Sequence, residues 1–257
     1  MTEEESAPAV RRDRFSGGPA RGFLSSLESD RRIFAADLAV DRAHVVMLAE
    51  QGIIDGESAG EILRALDEIE RAGHDALPGG EDVHEAIETA VIEGIERDGE
   101  TVVAGVGPEG GRMHTARSRN DEVATCIRHR LRADLLSLVG TTNAAREALL
   151  DAAEEHTETL MPGYTHLQPA QPTTVAHWLS SYESALARDV ERLFDCYDRV
   201  NRSPLGAGAF AGVSFPVDRE RTAELLGFSG VVENSADAAA GRDFLVETAG
   251  ALCALAA

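Results

Sequence analysis

The chain of 257 residues contains no lysine; all 24 of its basic residues are arginine. A lysine Schiff base and a lysine nucleophile are thereby excluded within these residues. Basic charge is scarce altogether, since 45 acidic residues against 24 basic ones give a formal charge of −21 at pH 7. Such a surface repels phosphate backbones and anionic lipids, so neither nucleic acid nor a membrane is an expected partner. Cysteine is sparse: Cys126, Cys196 and Cys253 lie far apart, odd in number and without a Cys-x-x-Cys pair, which suits a reduced cytoplasm. Also missing are a basic start with an apolar segment behind it, because the chain opens Met1-Thr2-Glu3-Glu4-Glu5, and any window of about 18 uninterrupted apolar residues. A soluble, cytoplasmic protein is expected. Excess carboxylate without lysine also fits a high-salt habitat, where screening shortens the reach of self-repulsion.

What is present begins with a core-forming share of apolar residues, 43%, enough for one large domain or two smaller ones. Residues 1–29 are polar, contain Gly17-Gly18-Pro19 and read as an arm that the rest of the protein must order. Helical spacing begins near Ile33. Apolar residues at 45, 48, 53 and 54, at 62, 63, 66 and 69, and at 83, 87, 91, 92 and 95 predict three short helices, broken near Gly52 and at Pro78-Gly79-Gly80. Over 116–157 a stripe of Val123, Ile127, Leu131, Leu135, Leu138, Thr142, Ala145, Leu149 and Ala152 predicts one long helix packed in a bundle. Met161-Pro162-Gly163 ends it, and Thr173 or Thr174 can cap a second long helix striped by Val175, Leu179, Tyr182, Leu186, Val190, Leu193, Tyr197 and Val200. Pro204 to Gly212 reads as a flexible turn. From Asp243 a third stripe of Phe244, Thr248, Leu252 and Leu255 runs to Ala257 without a cap, as if cut off in mid-pattern. No strand-like alternation competes, so the expected class is all-α. A small helical domain with its arm (1–115) is followed by long bundle helices (116–257), incomplete at the carboxy end.

Two runs carry chemistry. Gly111-Arg-Met-His-Thr-Ala-Arg-Ser-Arg-Asn-Asp121 and Gly163-Tyr-Thr-His-Leu-Gln-Pro-Ala-Gln-Pro172 crowd hydroxyl, amide, guanidinium and imidazole groups at the two ends of the long helix, which suits a small, multiply charged anion. His166 lies in a stretch bounded by Pro162, Pro169 and Pro172; these restrict the backbone, and a fixed imidazole can exchange a proton near neutral pH. Ser118 or Asn120 can cap the long helix. Arg117 and Arg119 oppose its dipole there, so an anionic ligand or a partner chain is the expected counter-charge.

Other patterns are set aside. Gly105-Val-Gly-Pro-Glu-Gly110 matches Gly-x-Gly-x-x-Gly, but no βαβ unit surrounds it, so dinucleotide binding is rejected. His84 and Glu88 share a helical face without a third ligand at suitable spacing, so no metal is expected and His84 reads as a polar contact near a site or on a helix surface. The other histidines stand alone, with His114 a weak candidate for lining the site.

Together these runs resemble the argininosuccinate lyase family of the aspartase/fumarase superfamily. Ala116-Arg-Ser-Arg-Asn-Asp121 is similar to that family's Gly/Ala-Arg-Ser-Arg-Asn-Asp segment, and Gly163-Tyr-Thr-His-Leu-Gln168 with Ala170-Gln-Pro172 to its catalytic-histidine loop. Tyr164, where fumarases and adenylosuccinate lyases usually carry arginine, favours the argininosuccinate branch. Glu81-Asp-Val-His84, Pro204 to Gly212, Asn234-Ser-Ala-Asp237, Arg242-Asp-Phe244 and Phe23-Leu-Ser-Ser26 with Asp30 resemble further segments in the same order. The resemblance implies cleavage of argininosuccinate to arginine and fumarate in arginine biosynthesis, with no cofactor and no metal. It also implies a homotetramer built on a central helical bundle, with active sites shared between subunits. It makes His166 the general acid-base histidine and Ser26, Ser118, Arg119, Asn120 and Thr165 substrate-binding. The family's Gly-Ser-Ser-x-Met-Pro-x-Lys-x-Asn-Pro loop, with its catalytic serine and lysine, is not in this sequence. An amino-terminal portion, inactive alone, is therefore expected; the alternative is a non-catalytic structural subunit on the same scaffold, as in δ-crystallins.

Overall fold

Short polar side chains start most of the helices. Asp55 accepts the backbone N–H of Ser58, Asp82 that of Glu85, Thr174 that of His177, Asp218 that of Arg221, and Asn234 those of Ala236 and Asp237. Each satisfies donors that a first helical turn leaves without an intrahelical partner. The computed structural model describes residues 23–257; Gly17-Gly18-Pro19 and most of the polar arm lie outside them. The helices are α1 (Phe34–Glu50), α2 (Gly56–Ala72), α3 (Val83–Glu93), α4 (Arg119–Glu155), α5 (Val175–Val200), α6 (Arg219–Leu225), α7 (Ser235–Ala240) and α8 (Asp243–Leu255). Two antiparallel hairpins join them, β1 (Ile95–Arg97) with β2 (Glu100–Val103), and β3 (Leu160–Thr165) with β4 (Gln168–Thr174). The class is all-α, and the three helices fall near where the spacing placed them, although Ile53 and Ile54 lie beyond α1 and Ile95 lies in β1. Among the described residues no helix is long and apolar enough to cross a membrane.

The chain divides into two compact units, one of residues 1–130 with 202–241 and one of 131–201 with 242–257. In the first, Leu38, Val45 and Leu48 of α1, Ile62, Leu66 and Ile69 of α2, and Val83, Ile87 and Val91 of α3 form the core with Met113. Burying each such side chain contributes about 1.5–3 kcal/mol. A smaller cluster packs Leu205, Ala223, Leu226, Phe228 and Val231 against Ala36, Val40, Ala43 and Cys126. The would-be nucleotide loop has a packing role instead: a Cβ on Gly105 would lie 2.6 Å from the Gly94 nitrogen, so these glycines let two backbones touch. Pro204 to Gly212 departs from its reading as a flexible turn. Leu205 and Ala207 are fully buried, and Arg219 donates to the carbonyls of Leu205 (3.2 Å) and Val232 (2.7 Å).

In the second unit the buried positions of α4 are Leu135, Val139, Thr142 and Ala153. The stripe is thus centred partly one residue beyond Leu138 and Ala152, the positions the spacing picked out. On α5, Val190, Leu193, Cys196 and Val200 are buried, and on α8, Phe244, Thr248 and Ala251. Arg146 on α4 holds Glu183 on α5 at 2.8 Å, and Arg199 on α5 holds Glu247 on α8 at 2.7 Å.

The hairpins escaped the hydrophobic pattern for a physical reason. β1 and β2 have only three and four residues. β3 and β4 are mostly exposed and pair Pro162 with Pro172, so neither face carries an apolar alternation.

Candidate active site

The run Arg117 to Asp121 is built as a helix start. Ser118 accepts the Asn120 N–H on its hydroxyl (3.3 Å), while the Asp121 carboxylate, three residues on, accepts the Ser118 N–H (2.9 Å). The two bonds resemble a capping box in which aspartate stands at the third position and the serine hydroxyl serves the second N–H in place of the third. Asp121 is fully buried, and its other oxygen accepts the N–H groups of Gly206 (2.9 Å) and Gly208 (2.8 Å). Burial raises its pKa, and the three N–H donors and Arg117 work against that rise. The Asn120 amide donates to the carbonyl of Ala209 at 3.0 Å.

Arg117 is a correction to its expected role. It points into the unit, fully buried, and reaches Asp41 at 2.6 Å and Glu122 at 3.0 Å, so its counter-charges come from this chain. Burial works against its charge, yet Glu122, Asp41 and Asp37 together raise its pKa. The carboxylates respond in kind. Burial lifts Asp37 to about 6, Asp41 well above the usual range and Glu122 also upward, with Arg117 opposing each. His44 donates its Nε2–H to the Thr115 carbonyl (2.8 Å), and burial followed by the Arg117 charge lowers its pKa to about 3. It is therefore neutral, and its Nε2 donates.

His84 belongs to this buried network and not to a helix surface. Its Nδ1 stands 2.7 Å from Asp37 and 3.7 Å from Glu122. The structure brings two carboxylate-rich groupings together, Asp37 with His84 and Cys126, and Asp37 with Asp41 and Glu122. The second already encloses the Arg117 guanidinium. In the first, nitrogen and oxygen at 2.7 Å touch directly, where two ligands around tetrahedral zinc stand about 3.4 Å apart. Burial and the neighbouring Asp37 push the Cys126 thiol up, and its S–H donates to Asp37 at 3.3 Å. These groups pair with one another.

Arg119 differs from Arg117. It stands 3.5 Å from Asp82, 3.7 Å from Glu122 and 4.0 Å from Glu88, and its Nε and Nη1 have no hydrogen-bond acceptor among the described residues. The guanidinium is partly exposed, with 17% of the side chain open to solvent. The Ser26 backbone N–H donates to Glu81 (2.8 Å) and its hydroxyl to Asp30 (2.7 Å), while Asp30 also accepts the Val83 N–H at 3.2 Å. Ser26 and Arg119 thus flank the cap of α3 at Asp82. Four expected binding residues, Ser26, Ser118, Arg119 and Asn120, belong to this one unit. The part played by Asp121 and by the loop buried over 204–208 was not read from the sequence; the Ser-x-x-Asp spacing and the clustered glycines were the available signals.

Thr165 and His166 belong to the second unit, at the end of the β3–β4 hairpin. The Thr165–Gln168 pair closes a two-residue turn of His166 (φ 50°) and Leu167 (φ 61°). Both central residues have positive φ, a geometry that strongly prefers Asn-Gly. Side chains larger than glycine cost about 1–2 kcal/mol each in this region. Gly163 makes the adjoining irregularity, where a Cβ would lie 2.8 Å from the Gln171 carbonyl. The prolines therefore frame a strained, exposed hairpin tip that presents His166 and Leu167, the latter 93% exposed.

Long helices, with guanidinium, amide and hydroxyl groups at the start of the longest and an imidazole on a strained turn after it, are found here in a chain of the helical lyase class. In fold alone, class II fumarase from Schistosoma mansoni matches at TM-score 0.73 and 19% identity over 88% of this chain and 54% of that one. A crystal structure of EDDS lyase in complex with formate matches at TM-score 0.73 and 33% identity over 91% of this chain and 45% of that one. The family described as lyase matches residues 22–257, and the chain belongs to it. Among curated relatives, argininosuccinate lyase of Natronomonas pharaonis is 68% identical over 253 residues, 98% of this chain and 49% of the relative. That of Haloarcula marismortui is 66% identical over 254 residues, 99% of this chain and 49% of the relative. The chain spans about half the length of the curated relatives it matches.

Proposed function

We propose that, in the complete protein, this chain forms part of an argininosuccinate lyase that cleaves argininosuccinate to arginine and fumarate, in the cytoplasm, without a cofactor. The observation that carries the reading is the pairing of two sites with the named relatives: Arg119, partly exposed beside Ser118 and Asn120, and His166 on a strained turn. The β-elimination removes a proton next to a carboxylate and expels a guanidinium nitrogen. It needs cationic and amide donors for the aci-carboxylate that develops, and an acid and a base for the two proton transfers. Ser26, Ser118, Arg119, Asn120 and Thr165 bind the carboxylates and amines in this reading, and His166 exchanges a proton.

Residues 1–115 serve as the small helical domain and 116–257 as bundle. The two motifs are separated in sequence by α4, 37 residues long, and in this reading they meet between subunits of a homotetramer. Leu136, Leu150, Trp178, Tyr182 and Phe194 are between 45% and 50% exposed on α4 and α5, apolar surface of the kind an assembly covers.

The test compares the 257-residue chain alone with the chain co-expressed with the carboxy-terminal half of the Natronomonas relative, following fumarate by absorbance in high salt. No turnover alone and turnover on co-expression are expected. His166→Asn in the assembly should lower turnover about 10²–10⁴-fold with little change in affinity; asparagine also accepts positive φ, so the hairpin is spared. Turnover by the chain alone, or unchanged turnover with His166→Asn, overturns the reading.

A further inference from the structure

Ser118 and Asn120 can bind a ligand only if their side chains are held, and the structure shows what holds them. The Asp121 carboxylate is fully buried and accepts three backbone N–H groups, Ser118 on one oxygen and Gly206 and Gly208 on the other. The loop closes around it by two positive-φ glycines, Gly206 (84°) and Gly208 (67°). Neither has room for a side chain: a Cβ on Gly206 would lie 2.7 Å from Arg219 Cγ, and one on Gly208 2.8 Å from the Gly212 carbonyl oxygen. Successive N–H groups wrapped on one anion form a backbone nest. Arg219 braces the loop from α6 through the Leu205 carbonyl.

The next residue uses this platform. Asn120 donates its amide to the carbonyl of Ala209, one residue beyond Gly208, at 3.0 Å. That bond orients the amide with Nδ2 toward the loop and leaves Oδ1 as an acceptor. We propose that Asp121 is a positioning residue of the site, acting through the nest at Gly206 and Gly208 to fix the Asn120 amide and the Ser118 hydroxyl. The proposal rests on the lyase reading for the identity of the ligand, and on geometry alone for the positioning. Asparagine cannot replace Asp121, because one of its two polar atoms is an NH₂ that faces either the Ser118 N–H or the two glycine N–H groups, donor against donor.

The experiment uses the co-expressed, active assembly and a double-mutant cycle of Asp121→Asn, Asn120→Ala and both, with hydrogen exchange followed by mass spectrometry on the same samples. If Asp121 acts through Asn120, Asp121→Asn lowers kcat/KM by about tenfold or more, and the double variant loses no more than the worse single one. The 204–212 peptide then exchanges faster in Asp121→Asn while peptides of α1 to α3 keep their protection. Additive losses, or an unchanged 204–212 peptide, overturn the proposal. So does loss of protection throughout α1 to α3, since the residue would then be a determinant of folding alone. Exchange needs no turnover: an inactive wild-type assembly sinks the lyase reading while the 204–212 peptide still decides whether Asp121 holds the loop.

Discussion

Arg117 shows how much a single buried charge can hold together. Its guanidinium contacts Asp41 and Glu122 with almost no solvent exposure on any of the three side chains. Removing one member of such a group leaves the others charged and unpaired, which typically costs about 3–5 kcal/mol. Arg117→Met, similar in reach but uncharged, should therefore destabilise the chain by that amount in guanidinium denaturation; a change within about 0.5 kcal/mol would mean that the carboxylates had found other partners. A second residue-scale effect concerns pH. His44 takes up a proton only at about pH 3 when folded and at about 6.5 when unfolded, so the unfolded chain binds more protons between those values. Stability from this group is therefore complete above 6.5 and is lost as pH falls. Asp37, lifted to about 6, has the opposite sign: the folded chain binds the extra proton between about 4 and 6, and its contribution falls as pH rises. His44→Gln keeps a donor for the Thr115 carbonyl and removes the titration. The wild type should lose more thermal stability than this variant between pH 6.5 and 4; parallel pH curves would count against a neutral buried His44.

At the scale of elements, caps decide where helices begin and turns decide where hairpins close. Thr174 is both the last residue of β4 and the cap of α5, accepting the His177 N–H at 3.2 Å. One threonine thus ends a strand and starts a 26-residue helix. Thr174→Ala should cost about 1 kcal/mol, read as a lower denaturant midpoint at an unchanged slope. A changed slope would show that the β3–β4 hairpin had detached as well. The cap was legible because Thr173-Thr174 stands just before an apolar stripe. The hairpin was not, because its register is set by a two-residue turn at positive φ and not by an alternation of apolar side chains.

Across the whole molecule, net charge sets how stability responds to salt. A formal −21 on 257 residues repels itself across the surface, and screening shortens that repulsion from about 10 Å at 0.1 M salt to about 3 Å at 1 M. Buried pairs such as Arg117 with Asp41 are hardly screened. The melting midpoint should rise steadily from 0.1 M to 2 M potassium chloride, while addition of sucrose at constant low salt gives a smaller gain. A midpoint that is flat or falls with salt would show that self-repulsion does not limit stability.

The sequence by itself determined the helical class, caps narrowed to Thr173 or Thr174 and to Ser118 or Asn120, and the two motif runs. All of these depend on residues within a few positions of one another, where helical periodicity and capping chemistry act. It also marked Arg119 and Asn120 as binding candidates. Only the tertiary structure separated Arg117 from Arg119: neighbours in sequence with one chemistry, they part because Asp41, far along the chain, meets the first at 2.6 Å, while the nearest carboxylate to the second stands at 3.5 Å. Likewise His84 became a buried partner of Asp37, and the glycines of 204–212 a nest around Asp121, some 85 residues away. Contacts at that separation are chosen by packing and desolvation, which no local pattern encodes.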